Sequence, residues 1–368
     1  MGSEKMFIAE FHQRLVDAKD AKPKEDYYCP ACHERLILRR GKCYLAHFAH
    51  QPHSRCSVSS EPESREHLLG KRQLAHFARV AKFQPVFERV YPEFNQRADV
   101  VLPRATRPDL IFEYQCSPIS HASVLKRTSG YENHGLQVLW LLGPRYQVKR
   151  LKQTVLERFA RFHPAVGLYC LYWSTRERGI IIRYHIRDRG DGTLTYMTQT
   201  CRSWSTFCQL FRRAHSVSEW PIDATRFRLR LQRQLFSGDR RWQALQRQCY
   251  PKHLNLIGMP DAVFTPLLTS LPLTGIGAYL TRALILVQLA GNERLTNPEF
   301  QQLIERANAL AKPYNYVQRS ARLGERRWQK IELQWLLQTR CLNEKATGYS
   351  CHLPTWYTDF NDWFKQTG

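Results

Sequence analysis

Short apolar runs and apolar–polar alternations dominate the chain to about residue 200, and helical spacing dominates beyond it. Residues 1 to about 25 read as a strand and turn, with Phe7-Ile8-Ala9 apolar and Lys19 to Lys24 a polar connection. Residues 61–83 read as an amphipathic helix. Leu68, Leu74, Phe77, Ala78 and Ala81 recur on one face, and Ser64 is placed to cap the N-terminus. Pro85 to Val90 reads as a strand. Arg97–Leu102 and Leu110–Cys116 read as two more, joined by a connection containing Pro and Arg. A helix over Ser120–Tyr131 follows, then a buried strand over Leu136–Leu142 ended by Gly143-Pro144. Hairpin strands followed by a helical crossover predict an α/β (α+β) fold, a mixed sheet flanked by helices. Residues 168–173, 180–186 and 194–197 form a β-meander that either extends this sheet or stands as its own module. Residues 225–236 and 317–340 are long amphipathic helices. The expected organisation is an N-terminal element over 1–58, a sheet domain over 59–150, the meander over 151–200 and a basic, mainly helical region over 201–368.

Charge narrows the function. With 55 Lys and Arg against 32 Asp and Glu, the 368-residue chain carries a formal charge of +23. Such an excess predicts a polyanionic partner, nucleic acid first and anionic membrane second. Arg226 and Arg230, with Arg228 and Arg233, surround an aromatic–aliphatic stripe, and 317–340 carries six further cations; either set could track phosphates or simply be solvated. Trp242, Trp328, Trp335, Trp356 and Trp363 could stack on bases, although core packing is the commoner use. No apolar run approaches the ~20 residues of a spanning helix, and the N-terminus lacks a signal-peptide pattern, so a cytoplasmic protein without membrane insertion is expected. The eleven cysteines are odd in number and mostly scattered, which fits core thiols or metal ligands in a reducing compartment.

Cys29-Pro30-Ala31-Cys32 is a pair that can place two thiolates on one cation. Two further ligands for Zn²⁺ must come from His47, His50 and Cys56, with Cys43 a weaker candidate. The His-x-x-His spacing is shorter than that of a DNA-reading finger, so a zinc ribbon or knuckle fits better.

Asp99 and Glu113 are acids inside apolar strands, where a carboxylate is costly unless paired, protonated or cation-bound. Placed side by side by the hairpin, they offer the hard oxygen ligands that Mg²⁺ or Mn²⁺ requires. Asp109 lies on the same strand as Glu113, four residues or about 13 Å away, too far to share one ion, and reads as a turn residue. Gln115 shares a sheet face with Glu113 and can orient a water or bond a phosphate oxygen. Glu63, His67 and Lys71 share one side of the first helix with Glu66 at its edge, and Lys126 and Arg127 lie on the second. A solvated charged face is the competing reading for these helical residues.

From Tyr28 to Pro144 this order resembles the PD-(D/E)xK nuclease superfamily, and more closely the competence protein CoiA family. The resemblance rests on Cys29/Cys32 with HFAH, the ESREHLLGK helix, RADV, and EYQCSPIS followed by KRTSGY and VLWLLG. It implies a restriction-endonuclease-like core behind a zinc-binding element. It implies DNA processing in natural transformation, on incoming single-stranded DNA or recombination intermediates, with recombination proteins as possible partners. It also makes Glu66 the helix acid that reaches the metal water, with Glu63 the fallback. The superfamily usually has lysine where this chain has Gln115. That departure leaves an active variant, a nuclease borrowing Lys71 or Lys126, or an inactive fold that only binds DNA.

Overall fold

The computed structural model describes the chain apart from residues 1–4, 13, 31, 42–43, 53–55, 57–63, 214–222, 239, 266–271, 273 and 368; of 5, 44, 240–241 and 323–329 it describes the backbone alone. Cys43 and Glu63 therefore lie outside the described residues. The chain forms two compact units, one of residues 1–184, 197–215 and 316–318, the other of 185–196, 216–315 and 319–368.

The first unit begins with β1 (Lys5–Met6), β2 (Ile8–Phe11), β3 (Arg14–Asp17), β4 (Tyr27–Tyr28), β5 (Arg35–Gly41) and β6 (Tyr44–His50), in the sheet order β1-β6-β5-β4-β2-β3. Met6, Ala9, Tyr27, Leu36 and Phe48 close a small core on it.

Helix α1 (Arg65–Val80) follows, with the Ser64 hydroxyl accepting the His67 amide as its cap. Then come β7 (Val86–Phe87), β8 (Val90–Tyr91), β9 (Gln96–Arg97), β10 (Val100–Leu102), β11 (Leu110–Gln115), α2 (His121–Asn133) and β12 (Gln137–Leu142). Next are α3 (Gln153–Phe159), β13 (Arg161–His163), β14 (Gly167–Ser174), β15 (Gly179–Asp188), β16 (Leu194–Cys201) and α4 (Trp204–Leu210). The main sheet runs β16-β15-β14-β12-β11-β10-β7, so the meander strands continue it. β11 pairs with β12 in parallel and with β10 antiparallel. A parallel neighbour needs a crossover, which α2 supplies. Leu68, Leu74, Phe77 and Ala78 of α1 pack with Val100, Leu102, Phe112 and Tyr114 on one face. Alternation turns Ile111, Glu113 and Gln115 to the other face, where Tyr131 of α2 donates to Glu113. All of β11 is buried as a result.

Two expected strands are each interrupted at an acid. The 85–90 strand breaks at Glu88, which has φ +50°, and the 97–102 strand bends at Asp99. Both carboxylates leave the ladder to accept backbone amides, from Phe7 and Ile8 for Glu88 and from Tyr114 for Asp99.

The second unit holds α5 (Ala224–Phe236), α6 (Arg240–Cys249), α7 (Ala278–Leu289), β17 (Arg294–Thr296), α8 (Asn297–Ala311), α9 (Arg319–Gln338), β18 (Leu342–Lys345), β19 (Gly348–Cys351) and α10 (Phe360–Thr367). The three strands form a sheet in the order β17-β19-β18. α7 is buried almost all round, as its apolar sequence demands. No described helix is long and apolar enough to cross a membrane.

Gly258 accepts the Tyr357 amide at 2.8 Å, and a Cβ at this position would lie 1.8 Å from the Tyr357 carbonyl oxygen. Gly258→Ala must push two backbones apart and is expected to cost about 1–3 kcal/mol, the usual range for overpacking. Urea denaturation checks this, and an unchanged midpoint would show that the contact can relax.

Candidate functional site

The β10–β11 register pairs Val100 with Phe112, so its continuation sets Asp99 level with Glu113 on the neighbouring strand. Both acids line a cleft of about 490 Å³ with His67, Arg97, Gln115, Lys126, Arg127 and Arg145. Arg97 is buried, while Lys126 and Arg145 are exposed and give the mouth its positive charge.

Asp99 accepts the Tyr114 amide at 2.8 Å, lies 3.2 Å from His67 Nε2, and stands 3.9 Å from Lys71 Nζ. Burial alone would push its carboxyl up, but His67, Lys71 and Arg127 hold it well below the usual carboxylate range. Glu113 is bound on one oxygen by Arg127 at 2.5 Å and on the other by the Tyr131 hydroxyl at 2.5 Å. Burial pushes the Glu113 carboxyl up; Arg127 opposes that, and the neighbouring Asp99 charge adds to it. Asp99 is thus held ionised, while Glu113 is made harder to ionise.

Gln115 points into the cleft and donates to the Ser117 carbonyl at 2.9 Å. Lys71 is fully buried, 2.5 Å from Glu88, and is absent from the cleft wall. Glu66 accepts the Tyr114 hydroxyl at 2.8 Å and that of Thr175 at 3.2 Å, and it too is absent from the wall. From the charged face of α1 it is His67 that reaches the cleft. Asp109 accepts the Arg104 amide at 3.1 Å in the β10–β11 connection. The sequence reading passed over Glu88, Tyr131 and Arg145. For Glu88 a signal existed, since it too is an acid in an apolar run.

A second site lies in the N-terminal module. The ligand atoms of Cys29, Cys32, His50 and Cys56 all lie within 4.8 Å of one another, and Cys32 Sγ is 3.3 Å from His50 Nε2. Three thiols and one imidazole at this spacing form a possible metal-binding cluster, and the donor set fits tetrahedral zinc. His47 is outside this group, with Nδ1 2.7 Å from the Leu45 carbonyl. His47 and His50 are three apart on β6, so their side chains leave the strand on opposite faces.

The cations of the second unit are used in different ways. Arg226 is exposed on α5, and Arg230 pairs with Asp191 at 2.7 Å. Arg228 is buried, donating to the Ile257 and Met259 carbonyls at 2.6 Å each and to Asp261 at 2.9 Å. Trp242, Trp335 and Trp363 are buried as well. Trp356 donates to the Asn255 carbonyl at 2.7 Å, and only the backbone of Trp328 is described.

The first unit is a mixed α/β protein that presents two level carboxylates in a basic cleft and carries a Cys/His module ahead of it. Residues 11–59 match the family model for the N-terminal domain of competence protein CoiA, and residues 63–215 match that for its nuclease-like domain, together more than half the chain. The chain belongs to the competence protein CoiA family. It is 33% identical over 144 residues to the competence protein CoiA of Bacillus subtilis (strain 168), a match spanning 39% of this chain and 37% of that relative. No solved structure matches the chain.

Proposed function

We propose that this chain is a DNA-processing protein of natural competence whose cleft is a divalent-cation-dependent phosphodiesterase. The level placement of Asp99 and Glu113 in one cleft carries this reading. Two hard carboxylates on neighbouring strands are the donor type that Mg²⁺ or Mn²⁺ takes, and these two residues would hold the ion. When bound, it would polarise a phosphoryl oxygen and lower the pKa of a water. His67 lies 3.2 Å from Asp99, and Arg127 pairs with Glu113. Lys126 and Arg145 would draw the phosphate backbone to the mouth, and Gln115 would orient a water or phosphate oxygen. The substrate is incoming single-stranded DNA or a recombination intermediate. In the N-terminal module, Zn²⁺ on Cys29, Cys32, His50 and Cys56 would be structural, since the four protein ligands leave no open position.

One observation favours a second reading, a DNA-binding factor without turnover. Both oxygens of Glu113 are already bonded, and the Gln115 side-chain NH₂ donates to Ser117. Metal-dependent cleavage separates the two readings. Asp99→Ala and Glu113→Ala are each expected to lower cleavage of single-stranded or branched DNA at least about a hundredfold while salt-sensitive binding persists. Wild-type binding without cleavage under Mg²⁺ and Mn²⁺ would establish the second reading instead.

A further inference from the structure

A third acid stands level with the cleft pair. The β7–β10 register sets Glu88 opposite Asp99, and the Glu88 amide donates to the Asp99 carbonyl at 3.1 Å. The Glu88 side chain is buried. One oxygen binds Lys71 Nζ at 2.5 Å, and the other accepts the Phe7 and Ile8 amides at 2.9 and 3.3 Å. Those amides lie where β1 gives way to β2, inside the Cys/His module. On its other side Lys71 stands 3.9 Å from Asp99 Oδ1, in the cleft. Arg72 reinforces the joint, lying 4.2 Å over the Phe7 ring and donating to Asp17 and to the Ala46 carbonyl. β1 in turn pairs with β6, the strand that carries His50.

We infer that Lys71 and Glu88 are a positioning pair through which the Cys/His module sets the countercharge of Asp99. One ammonium is shared by two carboxylates. While Phe7 and Ile8 hold Glu88, Lys71 stays between Glu88 and Asp99. When the module loosens, Glu88 loses two donors, draws more on Lys71, and leaves Asp99 with less. Coupling of this kind is reciprocal, so a change at Lys71 must be felt in the module. The inference rests on Asp99 being a working acid of the cleft, but its test reads backbone amides and needs no cleavage.

Hydrogen exchange followed by mass spectrometry on the full chain provides the test. Lys71→Met is expected to speed exchange at residues 6–9 by about tenfold, a typical coupling strength, although Lys71 is not bonded to the amides of Phe7 or Ile8. Lys71→Met with Glu88→Gln is expected to restore most of the protection, because a neutral glutamine still accepts those amides and leaves no buried charge. Cys32→Ser, made to loosen the module, is expected to speed exchange at residues 86–90. A double variant exchanging as fast as the single one would mean that Lys71 only fills space, and would overturn the inference. So would a Cys32→Ser effect confined to residues 5–50. If Lys71→Met alone fails to fold and the double variant folds, that rescue is itself the expected result; if neither folds, the Cys32→Ser arm decides. A wild type that cleaves no DNA would count against the phosphodiesterase and leave this exchange pattern standing.

Discussion

If the proposed zinc site is occupied, Cys29→Ser, or treatment with a strong chelator, is expected to unfold residues 5–50 while the strands from β10 to β14 keep their protection. The apolar cluster of this module is small, built on Met6, Ala9, Tyr27, Leu36 and Phe48, and Cys29 itself is part of it. A core of this size does not hold a chain together without a staple. Structural zinc supplies about 10–16 kcal/mol of apparent binding energy at neutral pH, and zinc on the proposed site would contribute that energy to folding. Limited proteolysis with and without chelator checks the effect. A module equally resistant in both states would show that the sheet stands without a metal and that the four ligands are only buried neighbours.

Arg228→Met is expected to be the most damaging single change in the second unit. The guanidinium is fully buried, lies over the rings of Phe264 and Trp363 at 4.9 and 4.6 Å, and serves two buried carbonyls and Asp261. Methionine keeps much of the volume and removes every donor. Two carbonyls lose their partner, and the loss is expected at about 3–5 kcal/mol. The Asp261 side chain is 46% exposed and can take water in exchange, which favours the lower end. Thermal unfolding measures it, with DNA binding as the control. A variant of native stability that bound DNA more weakly would show Arg228 to be a phosphate contact after all.

Arg228 also shows where the sequence stops being legible. Four arginines around an apolar stripe read as solvated or phosphate-tracking, yet Arg228 is a core residue and Arg230 is paired with Asp191. Helical spacing tells which residues share a face and not what that face meets. The same limit applies to α1, where Glu66, His67 and Lys71 read as a charged side. The fold sends His67 to the cleft, Glu66 to the Tyr114 hydroxyl and Lys71 into a buried ion pair. Acids in apolar strands were the more telling signal, because their cost holds whatever surrounds them. It singled out Asp99 and Glu113, and both line the cleft. The same reasoning applies to Glu88, which the sequence reading passed over; Glu88 serves the joint with the N-terminal module, a contact 80 residues distant in sequence that no local pattern announces. The order of strands and helices was legible because turn residues and periodicity are local. The breaks at Glu88 and Asp99 were not, because each follows from a carboxylate captured by distant or cross-strand amides. The Cys-x-x-Cys pair was plain, while the choice between His47 and His50 depended on which face of β6 turns toward it.

Mg²⁺- or Mn²⁺-dependent cleavage of single-stranded, duplex and branched DNA, measured with binding on the same samples for wild type, Asp99→Ala and Glu113→Ala, tests the central claim most directly. The account predicts metal-dependent cleavage by the wild type, and its loss in both variants with binding and folding intact. Wild-type protein that binds DNA in a salt-sensitive way and cuts none of the three substrates under either metal would contradict it.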